Sequence, residues 1–312
     1  MSSDTRARTG ALRSPVRGEY FADPFVVRMP DGGYAAYGTQ PDAESTERVF
    51  EVLLSDDLIS WSRGGYALQR LDPDMGDQYW APEVSWRDGA WWMYYSVGHG
   101  IDGHHLRVAR SSDVVGPFVD VGVNLAPDEL FAIDPHPFQD IDGQWYLYFA
   151  RDVLHASRAG THLAVGRLDD PTTLTDVRAA LEPVADWQIY ERDRHMYGRS
   201  QDWHTLEGPS VVRRDGRYWM TYSGGAWTGP GYAVSWATAE HPLGPWTHAP
   251  VGSAAVLATG PALIGPGHNS LVTAPDGSDR IAFHAWNAEG TRRQMHLAPI
   301  AFPASGPVVT LR

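Results

Sequence analysis

The chain is 312 residues long, carries a net charge of −13 and has no cysteine, and every basic residue counted under Lys+Arg is arginine. These facts exclude disulfides, zinc–thiolate sites, thiol nucleophiles, Schiff-base lysines and a phosphate-loop lysine. The negative charge argues against a nucleic-acid or anionic-membrane surface and fits a neutral or cationic ligand.

In chain order, "MSSDTRARTGALRSPVRG" has no apolar secretory core, so residues 1–17 read as a flexible lead-in and 18–312 as one domain. No run of about 18 apolar residues occurs, so nothing is expected to span a membrane, and the expected location is cytoplasmic. The first strand signal is "ADPFVVRMPDGGYAAYGT" (22–39): a carboxylate, Asp23, opens an apolar run, then Asp-Gly turns the chain into an aromatic strand. Asp-Gly between two β-rich runs is a strong hairpin signal, because the turn needs positive φ. The pattern returns at 81–98 with Glu83, at 133–150 with Asp134, at 207–224 with Glu207 and at 265–286 with His268. After the first four hairpins comes a strand, a polar turn and an apolar return: "LLSDDLISW", "VARSSDVVGPF", "AVGRLDDPTTL" and "VSWATAEHPLGPW". The fifth unit ends in "MHLAPIAF".

The opening polar residues lie 60, 51, 73 and 61 residues apart. Five repeats of about four antiparallel strands predict an all-β fold, a five-bladed β-propeller. The first strand of each blade lines the central axis, so the five polar residues are expected to converge on one end of the channel. A lone Asp before Pro is more often a strand cap. Several carboxylates in register are costly to bury together unless something uses them.

Other features are read more plainly. Trp91, Trp92, Tyr94 and Tyr95 alternate on a strand and are assigned to packing. His104 and His105, with His99 nearby, read as a solvated loop rather than metal ligands. His136 follows Asp134 and is placed at the edge of the site. The polar stretch 186–204 reads as a long loop that walls one side of the pocket, closing it enough for terminal cleavage.

Without Cys or Lys, the chemistry left to clustered carboxylates is acid–base catalysis or cation binding. Two carboxylates roughly 6.5–9.5 Å apart can hydrolyse a glycosidic bond with inversion, one as acid and one activating water. A third raises the acid's pKa by repulsion. The stretches "ADPFVV", "WAPEV", "IDPHPF", "LEGPSVV" and "GPGHNS", in that order, resemble glycoside hydrolase family 43, inverting five-bladed propellers acting on arabinose- and xylose-containing glycans. The resemblance covers roughly residues 18–303. It implies that Asp23 is the general base, Asp134 the pKa modulator that orients the acid, and Glu207 the general acid. It implies that Arg293, with Arg292 as the adjacent alternative, contacts substrate hydroxyls. It further implies that His268 sits in the channel beside substrate and helps hold one calcium ion, mostly through water. Trp80 is a candidate sugar platform, since sugar C–H faces stack on indole. Glu83 is read as a polar channel residue contacting sugar or water. No organic cofactor is expected.

The leading expectation is an exo-acting α-L-arabinofuranosidase on oligosaccharides, with β-xylosidase and endo-arabinanase as alternatives. A non-catalytic sugar-binding propeller and a protein-interaction platform are the readings from other classes.

Overall fold

The computed structural model describes residues 15–40, 47–250 and 256–311. Four-stranded antiparallel units follow one another as blades. Blade I is β1 (Ala22–Arg28), β2 (Tyr34–Thr39), β3 (Arg48–Ser55) and β4 (Ser62–Gln69). Blade II is β5 (Gln78–Arg87), β6 (Ala90–His99), β7 (Asp102–Ser111) and β8 (Val119–Asn124). Blade III is β9 (Ala132–Gln139), β10 (Trp145–Val153), β11 (Gly160–Asp170) and β12 (Thr173–Leu181). After β13 (Ile189–Met196), blade IV is β14 (Arg199–Arg214), β15 (Arg217–Gly224), β16 (Ala233–Ala239) and a two-residue β17 (Thr247–His248). Blade V is β18 (Ile264–Thr273), β19 (Asp279–Trp286), β20 (Arg293–Ala301) and β21 (Val308–Val309). The fold is a five-bladed β-propeller, as expected. Among the described residues no helix is long and apolar enough to cross a membrane.

The core lies between blades. Tyr37, Phe50 and Val52 of blade I pack on Tyr79, Met93 and Tyr95 of blade II. Similar apolar clusters join II to III, III to IV and IV to V. Phe21, Val26 and Leu53 meet Met295 and Leu297 of blade V and close the ring. The closure is reinforced by main-chain bonds from Val16 and Phe21 to the carbonyls of Met295 and Arg293. Of the expected lead-in, residues 1–14 lie outside the described residues. Val16 is tied to blade V, and Arg17 pairs with Glu19 and Glu51.

The Asp-Gly turns form in all five blades, in two geometries. In blades II and IV both turn residues have positive φ (Asp88 51°, Gly89 76°; Asp215 50°, Gly216 80°), the two-residue turn that matches strand twist. In blades I, III and V only the glycine does.

The stretch 186–204 is not a loop. It is a hairpin of β13 and the first half of β14, turning at Tyr197 and Gly198. Its parallel pairing of Gly160 and Thr161 with His204 and Thr205 joins blades III and IV in one sheet.

Candidate active site

Each first strand breaks register beside a left-handed residue: Asp23 (φ 49°), Ala81 (48°), Asp134 (59°), Gly208 (54°) and His268 (43°). Proline follows in four of the five. Proline inside a strand is tolerated at a bulge because it takes no ladder bond there. The bulge therefore explains the recurring X-Pro, and it corrects the expected equivalence of the five polar residues. Glu207 precedes its bulge residue by one position, and Glu83 follows its own by two. A non-glycine residue held left-handed costs of order 1–3 kcal/mol and persists only where its surroundings enforce it.

The strain brings Asp23, Asp134, Glu207 and His268 into one pocket of about 370 Å³, all four buried. His268 Nδ1 stands between two carboxylates, 3.5 Å from Asp23 Oδ1 and 3.7 Å from Asp134 Oδ2. The His268 ring packs on Gly208, where a Cβ would come within 3.1 Å of it. Asp134 Oδ2 accepts the Gly208 N–H at 2.9 Å, which couples it to the residue next to Glu207. Tyr232 donates its hydroxyl to Glu207 Oε1. It reaches that carboxyl across Gly267, where any Cβ would overlap the Tyr232 ring at 1.9 Å.

Asp23 faces an arginine and two imidazoles instead. Arg293 Nη1 lies 3.2 Å and His284 Nδ1 3.1 Å from Asp23 Oδ1. Arg293 Nε donates to the Tyr20 hydroxyl at 2.9 Å, and its guanidinium stacks 4.5 Å over Trp227. Arg292 is exposed and, among the described residues, its guanidinium reaches the Gly18 carbonyl at 3.5 Å. Of the two arginines it is therefore Arg293 that enters the pocket.

These surroundings separate the protonation states. Burial favours a neutral Asp23, but Arg293 and then His268 outweigh it and hold its pKa well below the usual carboxylate range. Burial pushes Asp134 up to about 6, with repulsion from Asp23 and Glu83 added and His268 opposing. Burial and then the Asp134 charge push Glu207 up to about 8. Burial opposes charge on His268 too, yet Asp134, Asp23 and Glu207 together raise its pKa. His284 is pushed down to about 4 by burial and is neutral at pH 7.

Trp80 lines the pocket, and its other face stacks on His104, ring centroids 3.5 Å apart at 18°. His104 is thus buried under the platform rather than in a solvated loop, because Trp80 covers it. His99 is exposed and His105 half-buried. Glu83 is not among the pocket-lining residues. It accepts a bond from His136 Nδ1 at 2.7 Å, while His136 Nε2 accepts the Val211 N–H at 2.9 Å. That pair ties blades II, III and IV together beneath the site, so His136 is a fastening of the channel and Glu83 acts on Asp134 only through its charge.

The calcium ion stays a proposal. Among the described residues no group of three or more His, Cys, Asp or Glu side chains is arranged to hold an ion. His268 presents Nδ1 to two carboxylates, a setting that suits an imidazolium better than a calcium ligand. Sequence reading did not find Tyr20, Tyr190, Arg194, Trp227, Tyr232 or His284. Tyr20 carried a local signal, three residues before Asp23, and Tyr190 and Arg194 lie in the stretch 186–204 expected to wall the pocket.

The chain matches the model of glycosyl hydrolases family 43 over residues 12–308. It is 29% identical to a β-D-galactofuranosidase of Aspergillus niger, over 90% of this chain and 78% of that protein. It is 24% identical to an extracellular exo-α-(1→5)-L-arabinofuranosidase of Streptomyces avermitilis, over 85% of this chain but only 54% of that protein. A xylan 1,3-β-xylosidase of a Vibrio species matches at 23% over 76% of this chain and 42% of its own length. The crystal structure of a thermostable family-43 glycoside hydrolase superposes with a TM-score of 0.83 at 27% identity, covering 97% of this chain and 96% of that one. The chain belongs to glycosyl hydrolase family 43 and is a glycoside hydrolase.

Proposed function

We propose that the chain is an inverting, exo-acting α-L-arabinofuranosidase on arabinose-containing oligosaccharides. The observation that carries the mechanism is the unlike surroundings of two buried carboxyls in one pocket: Asp23 lies against Arg293 and His268, whereas Glu207 meets the Tyr232 hydroxyl and the Asp134 charge, which favours an ionised Asp23 and a protonated Glu207. In this reading Glu207 gives its proton to the glycosidic oxygen as the C–O bond breaks. Asp23 takes a proton from the water that attacks the anomeric carbon from the opposite face. Asp134 keeps Glu207 charged with its proton until the leaving oxygen needs it, and His268 holds Asp23 and Asp134 at fixed separation. Arg293 and Tyr20 supply donors to sugar hydroxyls on the base side. Trp80 provides an apolar face for the ring.

The furanose preference is supported by the names of two relatives, a galactofuranosidase and an arabinofuranosidase. The hairpin that walls the pocket supports action on chain ends. A second reading, β-D-galactofuranosidase, is favoured by the 29% identical relative. The two furanoses share ring configuration and differ in the exocyclic arm. β-Xylosidase is the third reading.

The test compares 4-nitrophenyl α-L-arabinofuranoside, β-D-galactofuranoside and β-D-xyloside with arabino- and xylo-oligosaccharides, and follows the first-formed anomer by proton NMR. The arabinofuranosides should be cleaved fastest, with the β-anomer appearing first. Faster cleavage of another glycone replaces the sugar assignment. A first-formed anomer with the same configuration as its substrate (α from the α-L-arabinofuranoside, β from either β-D-glycoside) rules out inversion, and with it the role given to Asp23.

A further inference from the structure

We infer that Arg194, on the hairpin between blades III and IV, forms the leaving-group subsite: its guanidinium donates to hydroxyls of the neutral sugar that departs. The inference rests on Glu207 being the general acid of the proposed reaction. An acid must touch the leaving oxygen, so the departing sugar lies on its side of the pocket. β14 runs unbroken from the hairpin tip at Arg199 through Glu207. Thr205, two residues before Glu207, shares its face of the strand. Thr161 is paired with Thr205 across the blade junction. Both threonines line the pocket, together with Tyr190 and Arg194 of β13. The base side is built from different elements, with Tyr20, Arg293 and Trp227 around Asp23.

Arg194 is prepared for this task. Its guanidinium lies 4.8 Å from the Tyr190 ring and 5.6 Å from the Trp203 ring, so two aromatic side chains fix the fork. Only 16% of the side chain is exposed. Among the described residues its ion pair is through Nε, to Glu191 at 3.5 Å, which leaves the Nη edge for a ligand. The charge of Arg194 is also felt by half-buried Asp152, which accepts from Thr161 at 2.9 Å. With Glu191 already paired to its charge, the fork is left to vicinal hydroxyls rather than to an acidic sugar.

The test is a ratio: kcat/KM for a disaccharide divided by kcat/KM for the 4-nitrophenyl glycoside of the same glycone, using whichever glycone the wild type cleaves fastest. Arg194→Met keeps an unbranched stem against the two rings and removes the donors. It should lower the ratio at least tenfold, mainly through a higher KM for the disaccharide. Arg194→Lys keeps the charge without the fork and should recover only part of the loss; it also serves if the Met variant melts early. A ratio unchanged in the soluble variant, or one that stays constant because both substrates fall together, overturns the role of Arg194 while leaving the functional reading in place. A different preferred glycone corrects that reading and leaves the ratio measurable.

Discussion

Asp23 and Glu207 are almost equally buried, 8% and 9% exposed, yet their pKa values move in opposite directions. The base side, built by blades I and V, surrounds its carboxylate with Arg293, His268 and His284. The acid side, built by blades III and IV, gives Glu207 a neutral phenol and a second carboxylate. Burial alone would neutralise both groups. What separates the proposed acid from the proposed base is which blade edge brings a cation, and that is decided by a residue 270 positions from Asp23 in sequence.

The sharpest way to break this comparison is to remove each group in turn. Asp23→Asn should lower kcat by about a thousandfold or more on every substrate, with KM within a few fold, because water activation serves all leaving groups alike. Glu207→Gln should cost about a thousandfold on a disaccharide but less than a hundredfold on a 4-nitrophenyl glycoside, whose leaving group departs without a proton. Equal losses for both substrates in Glu207→Gln would take the acid role away from Glu207.

The next test exchanges the surroundings. Arg293→Met removes the cation that outweighs burial at Asp23, so the Asp23 pKa rises. The acidic limb of the kcat/KM profile should then move up by about one pH unit or more, while Arg293→Lys should hold it closer to the wild-type position. Breaking a buried pair also costs about 3–5 kcal/mol of stability, visible in the melting temperature. If the limb stays fixed in the folded Met variant, the histidines rather than Arg293 set the Asp23 charge. Asp134→Asn works on the other side. It takes away a like charge that raises Glu207 from its ordinary range toward 8, so the basic limb should fall to lower pH. Because burial is the larger cause, the limb should remain above the pKa of a free glutamate. An unmoved basic limb would mean that burial alone protonates the acid.

The propeller was legible because its punctuation is local: five Asp-Gly turns and four X-Pro bulges need particular φ values that few residues adopt. The convergence of Asp23, Asp134, Glu207 and His268 followed from that repeat. The register within it did not. Matching the polar residues to one another placed Glu83 in the pocket, whereas the left-handed residue of blade II is Ala81 and Glu83 turns to His136. The hairpin of β13 and β14 reads as a loop in the sequence because half of residues 189–204 are exposed and its covered positions include Arg194 and His204, so no apolar alternation marks it as strand. Tyr232 and His284 were hidden for another reason: they act across 25 and 261 residues of sequence, on Glu207 and Asp23, and nothing in their neighbourhoods announces a partner.

The smallest expected effect concerns the aromatic lining of the pocket. Trp80 offers one face to the pocket and rests the other on His104, which is held by a contact from Nε2 to the Gly100 carbonyl at 3.0 Å and by the edge of Phe131, 5.8 Å between ring centroids. Stacked aromatic pairs contribute roughly 0.5–1.5 kcal/mol beyond the area they bury, so His104→Ala should let Trp80 tilt and raise KM by about threefold. kcat should hardly change, since neither Asp23 nor Glu207 touches His104. His104→Phe restores the stack without the hydrogen bond and should return KM to the wild-type value. If Phe fails to rescue KM while the protein melts normally, the Gly100 contact, not the ring, is what positions the platform.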